Sequence, residues 1–277
     1  MRGLFAAIGF LTIVPMPRVG EGSLAWSRMW FPVVGLGIGG LLTGFDYVLR
    51  EGFWTLTGAG FPSLLLAALL IVFLVVITRG LHLDGFMDTC DGLFGGANPE
   101  RRLEIMRDPR VGSFAVAGVL CLYLISFAAI VSLWPPGRFW ALLIIPCLSR
   151  WAMVVTMSAF PYARSEGGLG SALLQGGTRA QTLIATVIAA VAAVVLAGPT
   201  GVVLLIVAGA VALVVGQFAT SRLGGVTGDV YGAVNELATM AMLVAASLIV
   251  LGNILPLEPL WLAQGIDLGF GDDSYAP

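Results

Sequence analysis

Seven runs of predominantly apolar residues account for most of this 277-residue chain, at about 31–49, 62–81, 111–133, 139–160, 181–197, 201–219 and 233–254. Each is close to the ~20 residues that an α-helix needs to cross a bilayer. No span can leave backbone groups unpaired in hydrocarbon, so the runs must be helices. Composition agrees. Apolar residues make up 58% and charged residues 11%, against about 25% charged in a soluble domain. The mean hydropathy is +0.97. The expected fold is all-α: a polytopic integral membrane helical bundle with about seven transmembrane helices and helical loops on the cytoplasmic side. Residues 1–255 form a single membrane domain in this reading, and 256–277 a flexible tail. The opening run, 3–14, is too short to span and stops at Pro15. It reads as an interfacial or half-inserted helix, not a removed signal.

All fourteen basic residues are arginine, against sixteen acids, for a net charge of -2. That balance excludes a nucleic-acid binder, which carries a basic footprint. Cys90, Cys121 and Cys147 have no metal-ligand spacing, and His82 is the one histidine. Neither a disulfide framework nor structural zinc is expected. The arginines set the orientation. Arg2, Arg18, Arg28, Arg79, Arg101, Arg102, Arg107, Arg110, Arg164, Arg179 and Arg222 fall on one side, Arg50 and Arg138 on the other. The positive-inside bias makes the first side cytoplasmic. Seven spans then leave the C-terminus outside.

Gly35, Gly37 and Gly40 spell a dinucleotide fingerprint, but it lies inside an apolar span and not between a strand and a helix. Gly35/Gly39 and Gly40/Gly44 read instead as surfaces for close helix packing.

Polar residues gather on the cytoplasmic side in three places. The first, 82–110, follows a span without a break. If the helix continues, Asp84, Asp88 and Asp91 lie at i, i+4 and i+7 on one face. Three repelling carboxylates serve no packing purpose; a divalent cation such as Mg²⁺ or Mn²⁺ would offset the repulsion. The alternative is a solvated helix end. Gly92, Gly95 and Gly96 break the helix. Asn98-Pro99-Glu100 then starts another, which ends at Asp108 because Pro109 follows. It carries Arg101, Arg102 and Arg107, with Arg110 just beyond. These are candidates for phosphate oxygens, or else topogenic charges with local partners such as Arg101–Glu104.

The second place, 161–179, contains Arg164, Glu166 and several glycines. It reads as a loop that covers substrate, or as a plain connector. Arg150 lies within a span and should face a partner inside the bundle. The third place, 222–236, puts Asp229 and Glu236 seven residues apart on one helix face, with Thr227 as the N-cap. Two carboxylate faces on one side suggest a shared metal site between helices. His82 is a candidate base or phosphate ligand, or a structural histidine at the interface. This constellation suggests phosphoryl-group transfer to an amphiphilic substrate.

The stretch GLHLDGFMDTCDGLFGG at 80–96, followed by RLEIMRDPRVGSFA at 102–115, resembles the signature of the cobalamin synthase family, the adenosylcobinamide-GDP ribazoletransferases. FLTIVPMPR, YARSEGGLG and GGVTGDVYGAVNEL resemble it in the same order, and the likeness covers the chain to about residue 255. The doubled glycine Gly167-Gly168 departs from the pattern. The resemblance implies a Mg²⁺-dependent enzyme of the cytoplasmic (inner) membrane. Such an enzyme joins adenosylcobinamide-GDP to α-ribazole or its 5′-phosphate and releases GMP, in cobalamin biosynthesis. On it, Asp84, Asp88, Asp91, Asp229 and Glu236 are assigned to metal, and Asp88, Asp91 or His82 to proton transfer. Arg101, Arg102, Arg107, Arg110, Arg150, Arg164, Glu166 and Thr227 are assigned to substrate. A homo-oligomer, or a complex with other enzymes of the pathway, is a further expectation. Asp88-x-x-Asp91-Gly92 is also similar to the start of the CDP-alcohol phosphotransferase motif, so a phospholipid-making transferase is the alternative; a transporter is the second.

Overall fold

The computed structural model describes residues 2–17, 26–163 and 177–259. Among them there is no strand, only an isolated bridge between Tyr162 and Val226. Among the described residues nine α-helices run in chain order: α1 Arg2–Leu11, α2 Phe31–Thr57, α3 Ser63–Ile77, α4 Leu81–Gly95, α5 Pro99–Ile105, α6 Ser113–Ser132, α7 Gly137–Ala159, α8 Arg179–Leu223 and α9 Gly228–Leu251. Five helices are long and apolar enough to cross a bilayer, or six if the bent α3–α4 pair counts as one span. The chain is therefore an all-α polytopic membrane protein. The expected seven differs from this count partly because the run Arg179–Leu223, α8, is counted once although it has two limbs. Gly198 breaks it, at φ 53° and ψ -137°, and the chain folds back there. Thr186 on one limb receives a hydrogen bond from the Trp151 indole, while Gly209 on the other limb faces the same ring.

α7 is the central helix, buried on almost every side, with α2, α8 and α9 packed around it. Gly35 and Gly39 of α2 lie directly on the backbone of α7 at Pro146, Cys147 and Leu143; a methyl group at either position would collide with it. A methyl group at Gly40 or Gly44 would meet nothing within 4 Å, so the second expected packing pair is open surface. α2 also continues well past residue 49, through Arg50 and Glu51 to Thr57. Asp46 explains the extension. It is buried and held by Arg50, one turn ahead, and by Arg138 of α7, so the charged residues stay helical instead of opening into a loop.

The largest correction concerns α3 and α4. They are not one continuous helix but meet at a 92° bend. Arg79 and Gly80 both take positive φ (56° and 65°), which ends α3. Left-handed backbone suits glycine but costs a residue with a Cβ about 1–3 kcal/mol. Here Arg79 reaches the Gly9 carbonyl of α1 at 2.9 Å, and Ile13 N–H donates to the Ile77 carbonyl at 2.7 Å. The N-terminal segment thus clamps the break. A second correction is that Gly92 lies inside α4, which runs to Gly95 with Gly96 as its C-cap. These positions are small because α5 folds back onto them: Gly92 touches the Met106 side chain and Gly96 the backbone of Arg102.

Candidate active site

The two acidic segments meet where α4 crosses the start of α9. Gly85 rests on the backbone of Asp229, and Gly232 rests on the backbone of His82 and Gly85. A Cβ at Gly85 would lie 2.8 Å from the Asp229 carbonyl oxygen, and one at Gly232 2.8 Å from that of His82. Only glycine allows main chains this close. The pairings 85 with 229 and 82 with 232 run in opposite senses, so the helices are antiparallel here. Asp84 and Asp88 flank Gly85 on α4, exposed and half-buried respectively. Across from them Asp229 sits in the first turn of α9. Thr227 is the N-cap, as expected: its Oγ1 accepts from Val230 N–H at 3.4 Å and donates to Asp229 Oδ2 at 3.2 Å.

Asp91 is used differently from its two neighbours. Its Oδ2 accepts from Gly112 N–H at 2.7 Å and its Oδ1 from Ala115 N–H at 2.9 Å. Gly112 is the N-cap of α6 and has no side chain to do this. Asp91 therefore holds the start of α6 against α4, where the helix dipole favours a carboxylate. Glu236 also lies apart. It lines a cavity at the α3–α4 break with Thr78, Leu83, Tyr123, Ser126 and Thr239, accepts from Asn235 Nδ2 at 3.2 Å, and interacts electrostatically with Arg150. Arg150 is fully buried in α7, donates through Nη1 to Ser149 Oγ at 3.1 Å and makes no ion pair among the described residues; Glu236 acts on it only as a nearby opposite charge. His82 is turned into the same interior beside Arg150, buried at 2% exposure. Neither ring nitrogen has a hydrogen-bond partner among the described residues. It does not stand over the aspartates as a surface base would.

The arginines of the following segment divide by role. α5 begins as its sequence requires, with Asn98 accepting from Arg101 N–H and Pro99 in the first turn, but it ends at Ile105, short of Asp108. Arg102 is buried and donates to the Arg222 carbonyl at the end of α8 at 3.0 Å. Arg101 pairs with Glu104 at 2.6 Å, in the open. Arg110 pairs with Asp108 through two nitrogens at 2.9 and 2.7 Å. That hydrogen-bonded guanidinium holds the Asp108 carboxyl down at about 2. Arg107 is exposed and has no ion-pair or hydrogen-bond partner of its side chain among the described residues. Arg164 and Glu166 lie outside the described residues.

The start of the second polar segment is nonetheless tied to the third. Ala163 N–H donates to the Val226 carbonyl at 2.9 Å and Val226 N–H to that of Pro161 at 2.8 Å, with Gly225 packed against the backbone of Pro161 and Ala163. One positioning residue escaped the sequence reading. Arg28, counted there only as a topogenic charge, is buried and binds Gln181 Oε1 at 2.9 Å and the Thr178 carbonyl at 2.7 Å. It fixes the start of α8. Its side-chain partners are 150 residues away, so no local pattern announces it.

The sequence matches the family described as cobalamin-5-phosphate synthase over residues 3–247. The chain belongs to that family. Curated relatives named adenosylcobinamide-GDP ribazoletransferase cover nearly their whole length. The one from Syntrophobacter fumaroxidans is 38% identical over 87% of this chain and 96% of its own. The one from Pseudomonas savastanoi is 39% identical over 90% and 100%, and the one from Desulforamulus reducens 36% over 83% and 90%. No solved structure matches.

As for a metal, the donors are hard carboxylate oxygens of the type Mg²⁺ takes. Among the described residues no three His, Cys, Asp or Glu side chains gather closely enough to hold an ion by themselves. Mg²⁺ commonly uses one or two carboxylates together with substrate phosphates and water. Asp84, Asp88 and Asp229 carry such donors at the α4–α9 crossing, whereas Asp91 caps α6 and Glu236 lines the cavity at the α3–α4 break.

Proposed function

We propose that this transferase of the cobalamin-5-phosphate synthase family joins adenosylcobinamide-GDP to α-ribazole or its 5′-phosphate, with GMP as the leaving product. The family match supports the reaction. The observation that carries the site is the backbone contact of Gly85 with Asp229, which brings Asp84 and Asp88 to the first turn of α9. Mg²⁺ bound there would neutralise the diphosphate and favour departure of the GMP phosphate. The chain's own part is positional. The glycine crossing fixes the carboxylates relative to one another. Arg107, on the segment that follows α4, offers an exposed cation with no side-chain partner among the described residues, and Arg101 and Arg110 can exchange their exposed carboxylate partners for phosphate oxygens. A ribazole hydroxyl attacks the phosphorus that carries the cobinamide, the bond to the GMP oxygen breaks, and the hydroxyl proton passes to Asp88 or to water. The arginine bias supports a site on the cytoplasmic side of the inner membrane.

The test is GMP release by detergent-purified protein given both substrates, with Mg²⁺ or with EDTA. Metal-dependent GMP and a corrinoid product, lost in Asp88→Asn while the protein stays folded, are expected. Turnover of Asp88→Asn near the wild-type rate would remove the metal assignment.

A further inference from the structure

At the opposite end of the bundle the charges do not balance. Asp46 of α2 is 1% exposed and receives two guanidinium groups: Arg138 Nε on Oδ1 and Arg50 Nε on Oδ2, both at 2.9 Å. Arg138 is itself only 6% exposed. Two cations share one carboxylate, so a net positive charge is held at a mostly buried position. Glu51, the neighbouring acid, forms no ion pair with either arginine. A buried charge without a counter-charge is costly.

Both arginines line one cavity of about 110 Å³, with Ser63, Phe61, Trp134 and Pro135, several times the ~10–15 Å³ that one water needs. No acid is among the lining residues. The two Nη nitrogens of Arg50 and Nη2 of Arg138 have no protein partner among the described residues. Two helices also begin here. α3 starts at Ser63 after Pro62, and α7 at Gly137 after Pro136; neither N-cap supplies a side-chain hydrogen bond. Their positive dipole ends add to the arginines. This end is remote from the aspartates. Gly137 packs on Val250, while Asp229 opens the same helix, about 32 Å away at 1.5 Å per residue.

We propose that this cavity binds a phosphate-type oxyanion, supplied by a phospholipid headgroup or as free phosphate. Two arginine forks and uncapped helix starts suit phosphate oxygens, and the exposed aromatic Trp54 and Trp134 mark the depth at which headgroups lie.

Delipidated full-length protein in neutral detergent tests this by thermal unfolding. The probes are phosphatidylglycerol, inorganic phosphate at matched ionic strength, and diacylglycerol as a phosphate-free control. Wild-type protein should gain about 5 °C with phosphatidylglycerol at saturation and nothing with diacylglycerol. A gain with inorganic phosphate as well identifies a free-anion site; a gain with phosphatidylglycerol alone identifies the headgroup. Arg50→Gln keeps the neutral Asp46–Arg138 pair and should lose the gain while retaining transferase activity. Should that variant fail to fold, Ser63→Glu places a carboxylate in the cavity wall and should abolish the response. No response in wild-type protein, or one that the folded variant retains in full, overturns the proposal.

Discussion

Asp91 binds the first turn of α6 through both carboxylate oxygens, to Gly112 N–H at 2.7 Å and Ala115 N–H at 2.9 Å. Three residues earlier, Asp88 is half-buried on the flank of the α4–α9 crossing. Two aspartates on one helix thus carry different loads. Asp91→Ala should lower the unfolding temperature, since loss of a carboxylate cap costs about 1–2 kcal/mol, and hydrogen exchange should quicken at the amides of 112–115. Asp88→Asn should leave both unchanged and abolish turnover. Equal destabilisation by the two variants would contradict the division.

The same separation applies to the arginines. Arg102→Gln removes the bond to the Arg222 carbonyl and should reduce stability and yield. Arg107→Gln should unfold at the wild-type temperature but raise KM for adenosylcobinamide-GDP about tenfold, the equivalent of ~1.4 kcal/mol. Steady-state kinetics beside thermal unfolding distinguish the two.

Arg150 is buried in α7 and Glu236 lines a cavity in the same interior, so the two opposite charges influence one another without a direct ion pair. Removing one of two opposite charges in a low-dielectric interior is costly, because the other is stranded. Arg150→Met alone should therefore give little monodisperse protein. The double variant Arg150→Met/Glu236→Leu should recover much of the yield. If the double variant is as poor as the single, Arg150 acts through other contacts.

Asp108 titrates near 2 because Arg110 holds its charged form. A carboxyl depressed in the folded state stabilises above its ordinary pKa, near 3.8, and that contribution is lost as pH falls through about 2. Between pH 5 and 9 the pair adds no pH dependence. Carboxyl NMR should place the Asp108 midpoint near 2 in wild-type protein and back in the ordinary carboxylate range in Arg110→Gln. An unchanged midpoint would mean the ion pair does not persist in solution.

Local pattern was enough for much of the architecture. The Asn98-Pro99 start of α5, the Thr227 cap of α9 and the packing role of Gly35 and Gly39 are visible in the sequence, since each depends on residues within a turn or two, or on the absence of a side chain. The α3–α4 bend was not visible. Leu81 follows Gly80 in an apolar context, and the bend requires α1 to clamp Arg79. The Gly92 position misled for a similar reason: it is small to admit the Met106 side chain at the end of α5, not to end α4.

The sequence by itself determined that this chain is a helical membrane protein, that its acids cluster in two segments, and, through the motifs around them, that it belongs with the cobalamin synthases. Hydropathy and i, i+4, i+7 spacing suffice for that, because they fix what a helix is made of and which residues share its face. Only the tertiary structure decided what each face meets. Asp88 borders the crossing with α9, Asp91 meets the amides of α6, and His82 and Arg150 turn inward while Arg107 stays in the open. A carboxylate's role depends on the groups within about 3 Å of its oxygens, and here those groups come from other helices.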